Sequence, residues 1–446
     1  MRDSGHPSVV VGADPRPVSG RSPMSWVPTL YFAEGLPYFT VAMIAGLMYK
    51  SLGVDNATIG HYTALLGSAW VFKPLWSPFL ELAPNKKTIV VFFQFLGAVS
   101  LALVALSLQL PAWFALSVAA LTLLAFGSAT HDIAADGLYI ATLNGKQQAM
   151  YAGWQGAFFN AGRLAAAGGL LVLAGRLEKL WAPASAWTAI FATVAGVMVL
   201  LGLYHLTFLP GSANVPRPDK SLRGTAQLLK DVLNDFFHKP GIWVAILFIV
   251  LFRAGEGQVQ TIGPLFLRDP RSAGGLGLTT DQVGIVYGTA GTVAFIAGSV
   301  LGGYFAAWLG LKRALPVLIL GMNLPNLVFY SLSSTQPSDL ATIGAALGTE
   351  MFGYGFGFVG VILYIMPVVA KGKYTTAHYA LGTGVMQLGF LVFKWISGDI
   401  QTALGYRSFF LWVLLSAIPV LLMSWFVRVP SEASSSAPPA AEPAQA

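Results

Sequence analysis

The chain has 446 residues, of which 55% are hydrophobic and only 10% are charged. A soluble protein carries roughly a quarter charged residues, so this composition excludes an ordinary soluble protein and favours an integral membrane protein. The formal net charge is +7, but the basic residues concentrate in alternate loops, which argues against nucleic acid as a partner. The absence of cysteine excludes disulfides and thiolate metal sites.

The two ends of the chain differ in composition from the rest. Residues 1–24 are rich in Pro, Gly and Arg and contain no continuous apolar core, so we predict a disordered basic tail and not a secretory signal. Met24 is a candidate start of a shorter protein. Residues 430–446 are mostly Ala, Pro, Ser and Glu, and we predict a second disordered tail there.

Between the tails, apolar stretches long enough to cross a bilayer recur along almost the whole chain. The fold class that this pattern predicts is an all-α integral membrane protein with 12 transmembrane helices. The predicted spans are 26–49, 57–81, 88–110, 112–143, 148–174, 184–208, 241–267, 280–307, 313–333, 340–369, 375–403 and 407–428. The 49 glycines and 26 prolines suit this interpretation, because membrane helices tolerate both.

A polar segment, 210–240, separates an N-terminal six-helix half (25–209) from a C-terminal six-helix half (241–429). Its amphipathic stretch around Leu222–Phe237 is expected to lie along the membrane surface on the cytoplasmic side. Most Lys and Arg residues outside the spans fall on the side of the N-terminus, so the positive-inside rule places both termini in the cytoplasm.

The two halves share short matches at a nearly constant offset, which indicates a duplicated six-helix unit. Ala33-Glu34-Gly35 on the first span corresponds to Gly255-Glu256-Gly257 on the seventh. Leu138-Tyr139-Ile140 corresponds to Leu363-Tyr364-Ile365. Two parallel halves joined by a cytoplasmic loop are typical of major facilitator transporters, in which the substrate binds between the halves near the midplane.

The fourth span carries two acids, Asp132 and Asp136, in the run His131-Asp132-Ile133-Ala134-Ala135-Asp136. Positions i and i+4 share one helix face, and ionisable groups at membrane depth usually face a wet cavity or a partner charge. Two such acids repel when both are ionised, which favours retention of a proton by one of them. We therefore predict a proton-coupling role for this pair. His131 faces about 100° away from Asp132 on a helix and is left without an assigned role.

Other charges within the spans extend the candidate site. Glu34 and Glu256, at equivalent positions of the repeat, are further proton-coupling candidates, and Lys73 is expected to lie at the depth of Asp136 and to pair with it. The candidates for substrate binding are Arg253, Arg163, Lys73, Glu350, Trp154, Gln155 and Asn160.

The chemistry of each side chain indicates which group of a substrate it could bind. A guanidinium grips a carboxylate in a bidentate way, so Arg253 and Arg163 are assigned to the substrate, although Arg163 could instead pair with Asp132. Trp154, Gln155 and Asn160 combine an aromatic face with amide donors, as sugar-binding sites do. No Walker motif is present, and Gly353-Tyr354-Gly355-Phe356-Gly357 lies inside an apolar span, so neither ATP nor another cofactor is predicted.

Several motifs resemble those of one transporter family. Gly302–Arg313, between spans eight and nine, resembles the glycine-and-basic loop motif of the major facilitator superfamily, with Ala where that motif has Asp. Gly35-Leu36-Pro37, the run Val71-Phe72-Lys73-Pro74-Leu75-Trp76-Ser77-Pro78 and the run 131–136 are similar to signatures of the AmpG-type muropeptide permeases, a family that also includes acetyl-coenzyme A carriers. His131, where that family typically has Gln, is a departure.

This resemblance implies that spans one, four, seven and ten line a central cavity. It implies a proton-coupled secondary transporter that imports anhydro-muropeptides, GlcNAc-anhydroMurNAc with or without peptide, from periplasm to cytoplasm across the bacterial inner membrane. The expected partners are an anionic glycopeptide, protons and the lipid bilayer, and nothing demands more than a monomer. The alternatives are a same-fold importer of another polar anion, such as a siderophore or an acyl-coenzyme A, and a non-transporting membrane sensor. An intramembrane enzyme is disfavoured, because the sequence shows no paired His ligands or Ser–Lys arrangement.

Overall fold

The computed structural model describes residues 22–80, 85–211, 222–427 and 429, and this part of the chain is helical with no strand. The prediction of an all-α protein is thereby confirmed. Most of the N-terminal tail (1–21), residues 212–221 of the linker and the C-terminal tail (430–446) lie outside the described residues.

Each of the twelve predicted spans coincides with a helical segment. The first ten are α1 Pro23–Ser51, α2 Asn56–Leu80, α3 Lys86–Ser107, α4 Trp113–Thr142, α5 Lys146–Glu178, α6 Pro183–Phe208, α7 Ile242–Arg268, α8 Thr280–Leu309, α9 Leu311–Thr335 and α10 Leu340–Val369. They are followed by the helical segment Thr375–Met423.

The segment Thr375–Met423 holds the last two spans. Gly405 has φ 71° and ψ 166°, a backbone conformation that is essentially restricted to glycine, and it divides the segment into α11 (375–404) and α12 (406–423). Ten helices in the described part of the chain are long and apolar enough to cross a membrane, counting 375–423 once. The helix α2 is not among these ten, and it contains Pro74, Pro78 and the charge of Lys73.

The most extensive contacts between the halves are those of α2 with α11 and of α5 with α8. Small residues allow both pairs to approach closely: Gly398 lies against the backbone of Asn56 and Ala57, and Gly288 lies against the Ala167 carbonyl. At the second contact both helices widen to π-helical turns, Leu164–Leu170 and Gly284–Ala290, which pack against each other.

Polar contacts between the halves concentrate at the end of the bundle where the odd-numbered helices finish, here called the distal end. Lys50 Nζ lies 2.5 Å from Asp269 Oδ1, and Tyr406 donates a hydrogen bond to the same carboxylate. On the other side of the interface, the Thr280 hydroxyl donates to Glu178 Oε2 at 2.5 Å. The distal end is therefore closed in this structure.

The helix Leu222–Phe237 in the linker packs against the C-terminal half. Phe236 is fully buried against this half, and His378 of α11 lies 3.2 Å from the Val232 carbonyl. Just after the helix, Lys239 Nζ donates to the carbonyls of Val369 and Lys371 at 2.7 Å each.

Candidate functional site

Three carboxyl groups meet inside the N-terminal half, and we call them the acidic cluster: Glu34 from α1 with Asp132 and Asp136 from α4. One oxygen of each lies within 4.8 Å of the others. The two aspartates are one helical turn apart, so α4 presents both to α1 as their spacing predicts. Glu34 Oε2 is buried and has no hydrogen-bond partner among the described residues.

Two helices supply the partners of the acidic cluster. Lys73 of α2 forms an ion pair with Asp132, while the Tyr31 hydroxyl of α1 donates to Asp136 Oδ1 at 2.9 Å. Gln155 of α5 donates in turn to the Tyr31 oxygen. The expected Lys73–Asp136 pair is therefore wrong by one helical turn. Depth in the membrane does not decide the pairing, because Tyr31 of α1 already donates a hydrogen bond to Asp136.

His131 points away from this cluster into a separate buried chain of hydrogen bonds. Gln94 of α3 lies between two histidines: its Nε2 is 3.0 Å from His131 Nε2 and its Oε1 is 3.0 Å from His205 Nδ1. His205 Nε2 is 3.0 Å from the Thr29 hydroxyl. Because the amide nitrogen donates and the amide oxygen accepts, both rings fit this chain as neutral imidazoles. This chain ties α1, α3, α4 and α6 together.

A central cavity lies between the halves and holds about 710 Å³ of empty space. This figure includes space that is open to solvent. The cavity wall from the N-terminal half is mostly apolar and holds three aromatic side chains together with Arg163, whereas the wall from the C-terminal half is largely polar and charged. The principal side chains of the wall are Tyr38, Phe39, Trp70, Arg163, Arg253, Glu256, Gln260, Tyr354, Gln387, Phe390 and Lys394.

The charges on the cavity wall are not all paired. Arg253 Nη1 lies 2.6 Å from Glu256 Oε2, and its guanidinium carbon lies 5.1 Å and 4.8 Å from the ring centroids of Phe358 and Phe390. Neither Glu256 oxygen has an aligned hydrogen-bond donor in the part of the chain that the structure describes. The pair is therefore an electrostatic contact whose carboxylate can still accept hydrogen bonds from a ligand.

Arg163 enters the cavity from the N-terminal half without a carboxylate partner among the described residues. Its Nη2 contacts Met351 Sδ at 3.9 Å, and its guanidinium carbon lies 4.6 Å from the Phe295 ring centroid. The alternative in which Arg163 pairs with Asp132 is therefore wrong, because Asp132 already pairs with Lys73 on another helix.

The remaining predicted substrate-binding residues lie away from the cavity wall. Trp154 is 40% exposed and stacks on Phe158, and Asn160 donates to the Gly156 carbonyl of its own helix at 2.9 Å. Glu350 is buried on α10, and its Oε2 has no hydrogen-bond partner in the described ranges. Their proposed contact with substrate stays a prediction.

Sequence reasoning did not assign several residues that line the cavity. Tyr38 and Trp70 stand in apolar spans and carry no charge, so nothing in the sequence distinguishes them from lipid-facing aromatics. Lys394 did carry a signal, since a lysine in an apolar span is rare, but Asp399, five residues further on, is not its partner, because the structure pairs that acid with His61. Three carboxylates of the acidic cluster are also ligands that suit a cation, but the ammonium of Lys73 already occupies one of them.

The chain was then compared with known proteins. The sequence profile described as Major Facilitator Superfamily matches residues 29–392. The anhydromuropeptide permease of Escherichia coli (strain K12) is 27% identical over 403 residues, which cover 88% of this chain and 77% of that protein.

Among solved structures, a D-xylose–proton symporter has a TM-score of 0.70 at 13% identity and covers 90% of this chain and 96% of its own. The nucleoside transporter NupG has a TM-score of 0.66 at 14% identity, with 91% and 99% covered. These two likenesses concern the fold alone. Since the superfamily profile spans most of the sequence, the chain belongs to the Major Facilitator Superfamily and is a multi-pass membrane transporter, like its relatives, and not an enzyme.

Proposed function

We propose that the protein is a proton-coupled importer of anhydro-muropeptides, GlcNAc-anhydroMurNAc with or without peptide, across the bacterial inner membrane. The observation that carries this proposal is the composition of the central cavity, in which aromatic side chains lie beside cationic side chains from both halves. Aromatic faces suit sugar rings, and cations suit the lactyl or peptide carboxylates of such a ligand. The resemblance to the Escherichia coli permease supports the same substrate class.

Proton coupling is assigned to the acidic cluster. Three carboxyls and one lysine leave a net negative charge in a partly exposed site within the helices when all are ionised, so binding of protons brings the cluster toward neutrality. Tyr31 and Gln155 link Asp136 to α5, the helix that also carries Arg163 into the cavity. A change of protonation is thereby connected to a helix that contacts the ligand.

The orientation completes the proposal. With both termini in the cytoplasm, as the basic loops predict, the distal end faces the periplasm. The closed distal end then means that ligand cannot leave toward the periplasm in this structure.

The test is uptake of radiolabelled GlcNAc-anhydroMurNAc-tripeptide into cells that lack their own permease, with and without a protonophore. Uptake that the protonophore abolishes is the expected result. Asp132→Asn and Asp136→Asn should each lower accumulation by at least about tenfold, because each removes a titratable group from the cluster. Lys230→Gln, on the exposed linker helix, is the matched control and should leave uptake unchanged.

Other outcomes separate the alternatives. A well-expressed protein that takes up no muropeptide would overturn the substrate assignment and favour another polar anion, such as a siderophore or an acyl-coenzyme A. Uptake that depends on sodium and ignores the protonophore would overturn the proton assignment. Neutral variants with a full phenotype and no uptake of any tested anion would favour a membrane sensor.

A further inference from the structure

Lys394 is a buried cation on the cavity wall to which no role has been given. Lys394 belongs to α11 and is 6% exposed. Its side chain lines both the central cavity and a smaller cleft, which lies beside the cavity toward the distal end. The structure gives its ammonium one electrostatic contact, the ring of Phe390 at 6.0 Å to the centroid. No carboxylate lies within 4.0 Å of it in the described residues.

An aromatic ring does not neutralise a lysine. A cation–π contact stabilises an ammonium much less than an ion pair does, and an ionised ammonium in a low-dielectric site is strongly destabilised when no anion is present. The same Phe390 ring already lies 4.8 Å from the Arg253 guanidinium, so two cations share one ring. Arg253 has Glu256 as its counter-ion, whereas the residues that the structure describes provide none for Lys394.

Arg163 is in the same situation on the opposite wall. It is 5% exposed, its Nε has no hydrogen-bond partner, and it too has no carboxylate within 4.0 Å in the described part of the chain. Among the described residues, three cations and one carboxylate line the cavity, which leaves two positive charges in excess on its wall when all are ionised. The two cations without a carboxylate within 4.0 Å in the described part of the chain come from different halves, α5 and α11, and Glu350, which is off the cavity wall, acts on Arg163 only through a longer electrostatic interaction.

We propose that Arg163 and Lys394 are the two anion-binding residues of the central cavity, and that its ligand carries at least two separated anionic groups. This inference rests on the proposed function and narrows its substrate class. Such a ligand bridges the two halves by ion pairs, so bound ligand contributes to holding them together. The peptide-free disaccharide carries one lactyl carboxylate, whereas a peptide-bearing form carries several, so the cavity favours the peptide-bearing form.

The first experiment uses the purified full-length protein and calorimetric titration with GlcNAc-anhydroMurNAc and with its tripeptide form. Lys394→Gln should weaken binding of the tripeptide form by about tenfold or more, since one charge-assisted contact is lost, and binding of the disaccharide by much less. Lys394→Arg should restore most of the difference, and Lys230→Gln should have no effect. An equal effect on both ligands, or no effect on either, would overturn the inference.

A second experiment needs neither a muropeptide nor a variant. The thermal unfolding temperature of the wild-type protein is measured with dicarboxylates from succinate to suberate and with monocarboxylates of matched length. Stabilisation by a dicarboxylate and not by its matched monocarboxylate would keep the inference, even if both muropeptides failed to bind and the proposed substrate were wrong. Equal responses to the two series would overturn the inference and leave the muropeptide proposal standing.

Discussion

Glu34 and Glu256 stand at equivalent positions of the predicted repeat, yet they lie in opposite electrostatic surroundings. Three residues before Glu256 is Arg253, which pairs with it across one helical turn. Three residues before Glu34 is Tyr31, which donates to Asp136 and leaves Glu34 without a cation on its own helix. The residue three positions before each glutamate therefore makes the difference. Arg253 supplies a cation to Glu256, whereas Tyr31 supplies none and Glu34 joins two other acids.

The rest of each half extends this difference. The fourth helix of the first half adds Asp132 and Asp136, while the matching stretch of α10 places Gly357 and Val361 near those positions. The C-terminal half contributes Arg253 and Lys394 to the cavity instead. The halves thus share a helix layout but differ in chemistry. Excess acid lies in the N-terminal half, whereas two of the three cations that face the ligand come from the C-terminal half.

The largest effect is expected when the arrangement of α7 is copied into α1. Tyr31→Arg should pair with Glu34, as Arg253 pairs with Glu256, and add a second cation to the acidic cluster. Accumulation that depends on the proton gradient should fall by about a hundredfold, as measured by radiolabelled uptake with and without a protonophore.

The matched control is Tyr31→Phe, which adds no charge and removes two hydrogen bonds, the one to Asp136 and the one from Gln155. Each bond is worth about 0.5–1.5 kcal/mol, so uptake should fall by less than it does in Tyr31→Arg. If Tyr31→Arg retained full protonophore-sensitive accumulation, the acidic cluster would not be the coupling site.

The second prediction concerns the cationic residues that the C-terminal half contributes to the cavity. Arg253→Gln leaves Glu256 buried without its cation, so the KM for ligand should rise about tenfold while the response to the protonophore remains. Arg253→Lys should recover only part of this loss, because a lysine cannot stack as a plane between the rings of Phe358 and Phe390. If Arg253→Gln lost its proton dependence, proton coupling and ligand binding would not be separated between the acidic cluster and the cationic residues of the cavity.

The sequence predicted much of this division, because charges in apolar spans are conspicuous. Glu34, Asp132, Asp136, Arg163, Arg253 and Glu256 could all be named, together with the twelve helical segments. What it could not predict was pairing. Lys73 meets Asp132 and not Asp136 because a third helix supplies Tyr31, and such choices depend on helix rotation, which hydropathy does not record.

The contacts at the distal end could not be predicted from the sequence, for a related reason. Asn56, Asp269, Gln401 and Tyr406 come from four separate segments, and each is an ordinary loop or helix-end residue in sequence. Only the approach of α2 to α11 brings them together. Tertiary assembly, and not local pattern, makes them a group.

The third prediction uses these contacts, because both halves must separate at the distal end to admit ligand. Lys50→Glu faces Asp269 with a like charge and should shift the equilibrium toward a distally open state. The side chains of Lys50 and Asp269 are 16% and 13% exposed. Loss of their ion pair should cost ~1 kcal/mol, which corresponds to about a fivefold shift of the equilibrium between the closed and open states.

Since the chain has no cysteine, Ala42→Cys in the cavity supplies a single thiol for an impermeant maleimide added outside the cell. Labelling should rise in Lys50→Glu and return to the starting rate in the charge swap with Asp269→Lys. A swap that labels as fast as the single variant would show that the contact does not hold the distal end closed.

The smallest effect is expected inside the N-terminal half, where Gln94 joins His131 and His205. These are titratable groups one residue and one helix away from the acidic cluster, so they could belong either to the coupling chemistry or to the packing of the four helices. Gln94→Leu separates the two roles. It leaves both histidines without their amide partner, which should lower stability by about 1–2 kcal/mol in thermal unfolding of the purified protein. Uptake per folded molecule should not change, because His131 points away from Asp132. A loss of protonophore-sensitive uptake at unchanged stability would instead place this chain in the proton path, and the division between the halves would then extend beyond the three carboxylates.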